Sequence, residues 1–279
     1  MNIRFLFTSA LVAIGMAATA QIPVATPMEL PQGSHHPVIS PDGKTLLFST
    51  DVHTGLSALS LENGNICKLD DAAAAGFQPV FSTDSKTVFY RTAQTIDGLL
   101  YRDVRSYNLV ENSGKKLAAP SRDNVNLSQI AGGDFAVADY LTIKVSKNGK
   151  TANISPLAES HSYLWASLSK DGSRLLFTEP FSGVYVANAD GSNPVNVLPK
   201  GDFASWAGEN AIIAVVSHDD GYVILDSTLM LVNLATGIST PLTPEGFLVS
   251  EATASPTGMV VFTDIEGNMY KLNLNDIKF

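Results

Sequence analysis

Side chains that could perform acid, base or metal chemistry are few in this sequence. It contains five histidines and one cysteine among 279 residues. No two histidines have the H-E-x-x-H spacing of a zinc protease, and no Cys/His group has the spacing of a structural zinc site. His35 and His36 are adjacent, so their side chains would point to opposite faces of an extended strand. We therefore predict no metal site and no cofactor.

A covalent nucleophile is not indicated either. The G-x-S-x-G pentapeptide that marks the nucleophile elbow of many hydrolases is absent. Cys67 lies in an alternating apolar stretch, residues 65–69, which favours a packed thiol over a reactive one. We predict no catalytic residues and expect that the protein is not an enzyme. Two carboxylates that converge on one site would still permit glycosidase or lyase chemistry.

The first twenty residues have the pattern of a secretory signal. Arg4 supplies a positive charge, residues 5–16 are mostly apolar, and small residues occupy positions 18–20. The apolar run is too short to span a membrane, and no other run is long enough. We predict cleavage near Ala20, a periplasmic or secreted location, and a single domain over residues 21–279.

The net charge of the chain disfavours some classes of binding partner. The net charge is −9, and no cluster of lysine and arginine is present. Nucleic acids and anionic membranes both require such basic surfaces. We expect a monomer that binds no nucleic acid and has no membrane span.

An internal repeat reveals the elements that must position any site. Turn sequences begin at Ser40, Ser82, Ser169 and Ser255, at spacings of 42, 87 and 86 residues. These spacings are one, two and two steps of about 43, so two copies are missing near residues 126 and 212. Degenerate versions stand at 131–134 and 206–209. Six repeats therefore fill the chain after the signal.

Each repeat contains short stretches of period-two alternation separated by Gly, Asn and Asp turns. This pattern is typical of hairpin-linked strands, and four strands in each of six repeats predict an all-β, six-bladed β-propeller of four-stranded antiparallel blades. The predicted inner strands are residues 35–40, 77–82, 127–131, 163–169, 203–207 and 248–254.

The segment near the start of the mature chain suggests how the ring closes. Residues 25–33 resemble residues 239–246 at the end of the fifth repeat. We predict that residues 22–30 supply the outer strand of the last blade, which removes a free seam in the ring. The alternative is a linker after the signal.

The repeat itself resembles a known family. Residues 36–48, His-Pro-Val-Ile-Ser-Pro-Asp-Gly-Lys-Thr-Leu-Leu-Phe, are similar to the TolB-type propeller repeat, as are residues 78–89 and 165–177. Prolyl oligopeptidase and dipeptidyl-peptidase relatives share this repeat in their propeller domains. The resemblance covers most of residues 34–279 and implies the fold, together with binding to a protein rather than catalysis. We expect neither a hydrolase domain nor the additional N-terminal domain of TolB.

Position within the repeat selects candidate binding residues. Counting back four from each turn serine gives His36, Gln78, Trp165 and Glu251, and Asp202 is the nearest match in the fifth repeat. The third repeat offers a position near Leu127. Equivalent positions should form one ring at the channel mouth, where a protein or peptide could bind. The alternative is that they are ordinary residues at the start of each inner strand.

Three functions remain open at this point. The first is an exported scaffold that binds a protein or peptide in the cell envelope. The second is a carbohydrate-binding propeller that stacks sugars on Trp165 and Trp206, with a place in the core as the alternative for Trp206. The third is a propeller lyase or glycosidase that uses Asp202 and Glu251.

Overall fold

The computed structural model describes residues 23–50, 53–123, 126–158 and 160–277. The predicted signal peptide and its cleavage site lie outside these residues. Within the described ranges, 23 strands form six antiparallel sheets. The sheets follow one another around a ring, which confirms the predicted six-bladed β-propeller.

The strands follow the chain from blade to blade. The first strand, β1 (Thr26–Pro27), belongs to the last blade. Blade 1 contains β2 (Ser34–Ile39), β3 (Thr45–Thr50), β4 (Leu56–Ser60) and β5 (Ile66–Asp70). Blade 2 contains β6 (Val80–Phe81), β7 (Thr87–Ile96), β8 (Leu99–Asn108) and β9 (Ser113–Ser121). Blade 3 contains the helix α1 (Leu127–Ala131), β10 (Phe135–Asp139), β11 (Thr142–Lys147) and β12 (Lys150–Ile154).

The remaining blades have four strands each. Blade 4 contains β13 (Leu164–Leu168), β14 (Arg174–Glu179), β15 (Gly183–Asn188) and β16 (Val195–Leu198). Blade 5 contains β17 (Asp202–Trp206), β18 (Ala211–Asp219), β19 (Ile224–Asn233) and β20 (Ile238–Pro241). Blade 6 contains β21 (Val249–Ala254), β22 (Met259–Asp264) and β23 (Met269–Asn273), and β1 completes it. A 3₁₀ turn, Leu274–Asp276, follows β23.

The predicted inner strand at residues 127–131 is wrong, because these residues form α1 and the third sheet has three strands. The Asn126 side chain accepts hydrogen bonds from the backbone N–H groups of Ser128 and Gln129 at 2.9 and 3.3 Å, which caps the helix. Gly132 and Gly133 then adopt positive φ and end it. Leu127 is buried, so the helix fills the place of a strand.

The repeated turn has a chemical basis. Ser40 Oγ donates to Asp42 Oδ1 at 2.6 Å and accepts from the backbone N–H of Thr45 at 2.9 Å. The same pair of bonds recurs from Ser82 to Asp84 and from Ser169 to Asp171. The side chains thus hold the turn between the first two strands of a blade, and this is why the motif repeats.

Packing between blades builds the core. Five buried apolar clusters each join two neighbouring blades: 1 with 2, 3 with 4, 4 with 5, 5 with 6, and 6 with 1. Phe48, Phe177 and Phe262 occupy equivalent places in second strands and are at most 1% exposed. Because neighbouring blades bury apolar side chains between them at these five junctions, the ring is stabilised as a unit.

The predicted closure by the N-terminal segment is confirmed. β1 pairs antiparallel with β23, with Thr26 opposite Lys271, and the Met28 N–H donates to the Met269 carbonyl at 2.9 Å. Met28 and Leu30 pack on the cluster between blades 6 and 1. The first and last segments of the described chain therefore share one sheet.

The ring has two distinct faces. The turn face carries the turns that join first to second strands and third to fourth strands, such as 40–44 and 61–65. The hairpin face carries the hairpins that join second to third strands, together with the starts of the inner strands. Blades 2 and 5 have the longest hairpins, since their middle strands span nine or ten residues. These blades are three steps apart in a ring of six and so lie opposite each other.

A candidate binding face at the channel mouth

The inner strands begin with an unusual backbone conformation on the hairpin face. Four non-glycine residues at equivalent positions have φ between 47° and 55°: His36, Gln78, Trp165 and Phe203. The strand register shifts at three of these positions, in β2, β13 and β17. A β-bulge of this kind re-aims a side chain. A left-handed residue other than glycine costs about 1–2 kcal/mol, and such strain is concentrated at functional sites.

The fifth repeat places Phe203, not Asp202, at the position equivalent to His36. The backbone N–H of Ala207 donates to the carbonyl of Ala211, as that of Ser40 does to Thr45, so Ala207 occupies the place of the turn serine. Asp202 therefore lies one residue earlier. The Phe203 ring is 5.1 Å from the Trp165 ring, measured between centroids. The sequence signal was present, because counting back four from Ala207 gives Phe203.

His36 and Glu251 join blades 1 and 6 at the mouth. His36 Nδ1 lies 2.6 Å from Glu251 Oε1, and the His36 backbone N–H donates to Oε2 at 2.9 Å. Their side chains are 30% and 21% exposed, so the pair is accessible from the mouth. Both carboxylate oxygens of Glu251 are thus engaged by one residue.

The pair extends into a larger group that sequence reasoning missed. The His53 ring stacks on His36 at 4.0 Å, and the Phe77 ring meets His53 edge-on at 4.9 Å. The Arg91 guanidinium lies 5.8 Å from the centroid of Phe77, close enough for a cation–π contact. Burial and the neighbouring His36 lower the pKa of His53, which favours its neutral form. We call these five residues the mouth cluster: Glu251, His36, His53, Phe77 and Arg91.

The other predicted residues lie at the same mouth. Gln78 follows Phe77 and is exposed, and Trp165 and Phe203 are half-buried.

Trp206 differs from these mouth residues because it is 4% exposed. Its Nε1 donates to the Ser167 carbonyl at 3.3 Å, and Arg174 covers its ring. The predicted use of Trp206 as a sugar platform is therefore wrong, since its ring is part of the core between blades 4 and 5.

Asp202 has a perturbed carboxyl group at the start of β17. Its side chain is open to solvent, yet surrounding protein atoms desolvate it and raise the pKa. A raised pKa in the folded state means that the charged form opposes folding. This contribution is fully present above the folded pKa and disappears below the pKa of the unfolded chain.

We expect Asp202→Asn to raise the melting temperature at neutral pH, because the amide keeps the shape and removes the charge. The gain should shrink as pH falls toward the ordinary range of an aspartate, near pH 4. Thermal melts across pH, compared with Asp97→Asn at the exposed tip of the blade 2 hairpin, measure this. A gain that is independent of pH would contradict the assignment.

The opposite mouth, on the turn face, has a different character. Its cavity of about 870 Å³ is lined largely by turn residues, including Asp42, Asp84 and Asp171. Each of these carboxylates accepts hydrogen bonds within its own turn. Hydrogen bonds from Ser169 and Ser173 hold the pKa of Asp171 far below its usual range. These side chains serve the fold.

Exposed apolar side chains are concentrated on the hairpin face. Of the nineteen large ones among the described residues, thirteen lie in its hairpins or beside its inner strands. Only four lie in or directly after turns of the turn face: Ile66, Val110, Val195 and Ile238. The thirteen are Phe77, Ile96, Leu99, Leu100, Tyr140, Leu141, Leu164, Phe181, Tyr222, Val223, Ile224, Leu225 and Ile265. Concentration of apolar surface on one face marks an interaction surface.

Hydrogen bonds hold at least one of these side chains outward. In the blade 4 hairpin, buried Glu179 accepts from the backbone N–H of Phe181 and from Ser182 Oγ at 3.0 and 2.6 Å. Burial alone would raise the pKa of Glu179, but these bonds, together with His161, outweigh it and hold the pKa below its usual value. The hairpin is thus fixed while Phe181 stays 93% exposed.

The described ranges contain neither a cluster of metal ligands nor a membrane-spanning helix. No group of three or more His, Cys, Asp or Glu side chains there is arranged to hold a metal ion. Among the same residues, no helix is both long and apolar enough to cross a bilayer.

Comparison with known proteins identifies the architecture. A TolB protein from Agrobacterium tumefaciens superposes with a TM-score of 0.58 at 17% identity, over 87% of this chain and 90% of that one. The chain is a TolB-like β-propeller in architecture. The propeller domain of Cps50 (Swd1) from Myceliophteria thermophila gives 0.58 at 10% identity, over 90% and 99% of the two chains. Acylaminoacyl peptidase from Pyrococcus horikoshii gives 0.51 at 13% identity, over 83% of this chain and 42% of that one.

These neighbours share the propeller fold at low sequence identity. No protein-family model matches the sequence, and no curated protein matches it.

Proposed function

We propose that this protein is an exported, non-catalytic β-propeller that binds a protein or peptide at the channel mouth on its hairpin face. The observation that carries the proposal is the concentration of thirteen exposed apolar side chains on this face, around a mouth of strained and aromatic residues. Large apolar groups beside a few polar ones are typical of protein interfaces. The signal-like pattern of the N-terminal segment supports export. The net negative charge of the chain argues against binding to nucleic acid.

A carbohydrate-binding function is the second candidate, and one observation favours it. Trp165 and Phe203 lie together at the mouth, with ring centroids 5.1 Å apart and both side chains half-buried. Partly exposed aromatic rings of this kind can stack on a sugar. Lyase or glycosidase chemistry has less support, because Glu251 already binds His36 through both oxygens.

Site-directed photo-cross-linking tests the proposal. A photoreactive phenylalanine analogue at Gln78, on the mouth, should form a covalent adduct with a polypeptide in intact cells. The matched control places the same analogue at Val110 on the turn face, which is 72% exposed. Adducts from both positions alike, or from neither, would contradict a binding mouth, and a glycan bound by the purified protein would favour the second candidate.

Trp165→Ala should weaken binding of the cross-linked polypeptide by about 2 kcal/mol, roughly thirtyfold, because aromatic anchors dominate many interfaces. The melting temperature should change little, since the side chain is only half-buried. Affinity by calorimetry and a thermal melt are both needed. A large fall in melting temperature would show that Trp165 belongs to the core, and unchanged affinity would place the contact elsewhere.

A further inference from the structure

The hairpin of blade 5 carries the longest exposed apolar run of the described chain. Tyr222, Val223, Ile224 and Leu225 are 95, 58, 51 and 62% exposed, and they are consecutive. A turn fixes them in place: Asp219 Oδ1 accepts from the Gly221 N–H, and Asp220 Oδ1 accepts from the N–H groups of Tyr222 and Val223, each at 2.9 Å. The apolar side chains are therefore presented by an ordered hairpin.

This hairpin also has a free backbone edge. β20 pairs with β19 only at residues 230–233, and the next bond is from Leu242 N–H to the Leu229 carbonyl. Over residues 224–228 no described segment forms backbone hydrogen bonds with the outer edge of β19. An unpaired strand edge is a template for an added strand.

The charged residues near the blade 5 hairpin indicate the charge of the partner that would bind there. The six loops that join second to third strands contain no lysine or arginine. In blade 5, Asp219 and Asp220 precede the apolar run, and Asp226 follows it. The backbone N–H groups of Val223 and Tyr222 hold the pKa of Asp220 below its usual value, so its charge persists. The turns of the opposite face carry both signs of charge, with Lys44 and Lys86 beside Asp42 and Asp84.

We propose that the blade 5 hairpin, residues 216–226, docks an extended polypeptide segment that is both apolar and basic, by strand addition along β19. This inference rests on the proposed function and specifies its partner. Apolar side chains of the partner would pack on Tyr222 to Leu225, and its lysines or arginines would face the aspartates. A second copy of this chain fits poorly because both hairpins would bring the same acidic residues together. An anionic membrane is disfavoured for the same electrostatic reason.

The first experiment uses defined peptides with the full mature protein. A short fluorescent peptide of alternating lysine and valine should bind, as measured by anisotropy, and binding should weaken as salt rises because exposed charges are screened. The same peptide with glutamate in place of lysine should bind at least about tenfold more weakly. Methylating its backbone nitrogens along one edge should cause a similar loss. Equal binding of the lysine and glutamate peptides, or no binding of either, overturns the proposal.

Variants locate the contact. Tyr222→Ser/Val223→Ser/Leu225→Ser should reduce binding of the lysine peptide about tenfold or more, whereas Val110→Ser on the turn face should not. The variant Asp219→Asn/Asp220→Asn keeps the Oδ1 acceptors of the turn and removes two charges, so it should weaken binding and flatten its salt dependence. This double variant still tests the proposal if the triple variant has a lowered melting temperature. Unchanged affinity in both hairpin variants overturns the proposal.

Other occupants of the blade 5 hairpin would give different experimental results. Sedimentation that shows a dimer of this chain, lost in the triple variant, would assign the hairpin to self-association and overturn the proposal. Co-sedimentation with phosphatidylglycerol vesicles, lost in the same variant, would assign it to a membrane and overturn it as well. A photoreactive residue at Val223 should form an adduct with a basic, apolar segment in cells. An adduct at Gln78 without one at Val223 would leave the proposed function standing and refute only this inference.

Discussion

Deleting residues 21–33 should lower the melting temperature of the protein by about 5 °C or more. The deletion removes β1, the backbone bond from Met28 to Met269, and the packing of Met28 and Leu30 on the cluster between blades 6 and 1. Burial of two such side chains contributes on the order of 2–3 kcal/mol, and 1 kcal/mol shifts the melting point of a chain of this size by about 2–4 °C. Differential scanning calorimetry measures the change.

The same deletion should make the protein prone to associate, because it exposes the outer edge of β23. Size-exclusion chromatography should then show oligomers that the intact chain does not form. Point variants separate closure from general disturbance. Met28→Ser should lower the melting temperature, whereas Val24→Ser, at a side chain that is 87% exposed, should not. A deletion variant that melts with the intact protein would mean that the segment contributes nothing to the ring.

Asp103→Ala should cost about 3 kcal/mol in the free energy of unfolding. Asp103 is 4% exposed and accepts a hydrogen bond from Thr92 Oγ1, with Lys116 Nζ at 3.0 Å and Arg105 Nε at 3.3 Å. Removing the acid leaves the buried Thr92 hydroxyl without this acceptor and Arg105 without one of its two carboxylates, and loss of one partner from a buried charged network typically costs about 3–5 kcal/mol. Chemical denaturation with urea measures the loss.

The pH dependence gives this prediction a second readout. Burial would raise the pKa of Asp103, but the bonds from Thr92, Lys116 and Arg105 outweigh it and hold the pKa below its usual value. Its contribution is therefore present above the pKa of the unfolded chain and is lost as pH falls through the folded pKa. The difference between wild type and variant should shrink in acid. Glu111→Ala, at an exposed site in the same blade, should change stability by less than about 0.5 kcal/mol at any pH, and an equal effect at both sites would refute the role of the network.

Asp103 also matters for the hairpin face. Asp103 and Thr92 are paired across β7 and β8 at the base of the blade 2 hairpin. Arg105 extends the network to Asp70 of blade 1 at 2.9 Å, and the Tyr90 hydroxyl donates to the same carboxylate at 2.9 Å. The network therefore fixes the hairpin to its neighbouring blade, and the apolar tip at Leu99 and Leu100 is presented from a rigid base.

The sequence by itself determined the number of blades and the closure of the ring. The reason is that the repeated turn depends on local chemistry, with Ser40, Asp42 and Gly43 bonded within a few residues of one another. A pattern of this kind survives in the sequence wherever the turn is made. It failed at residues 127–131, where the turn motif is degenerate and the Asn126 cap made a helix instead.

Only the tertiary structure decided the composition of the binding face. His36 and Glu251 are 215 positions apart, and they meet because the ring brings blade 6 against blade 1. His53 and Phe77 reach the mouth cluster from a loop and a connecting segment, outside the counted positions of the repeat. The exposure of Tyr222 to Leu225 likewise depends on how far β18 and β19 extend beyond their neighbours. These contacts depend on how neighbouring blades pack and on how far each strand extends, and neither is set by residues that are close together in the sequence.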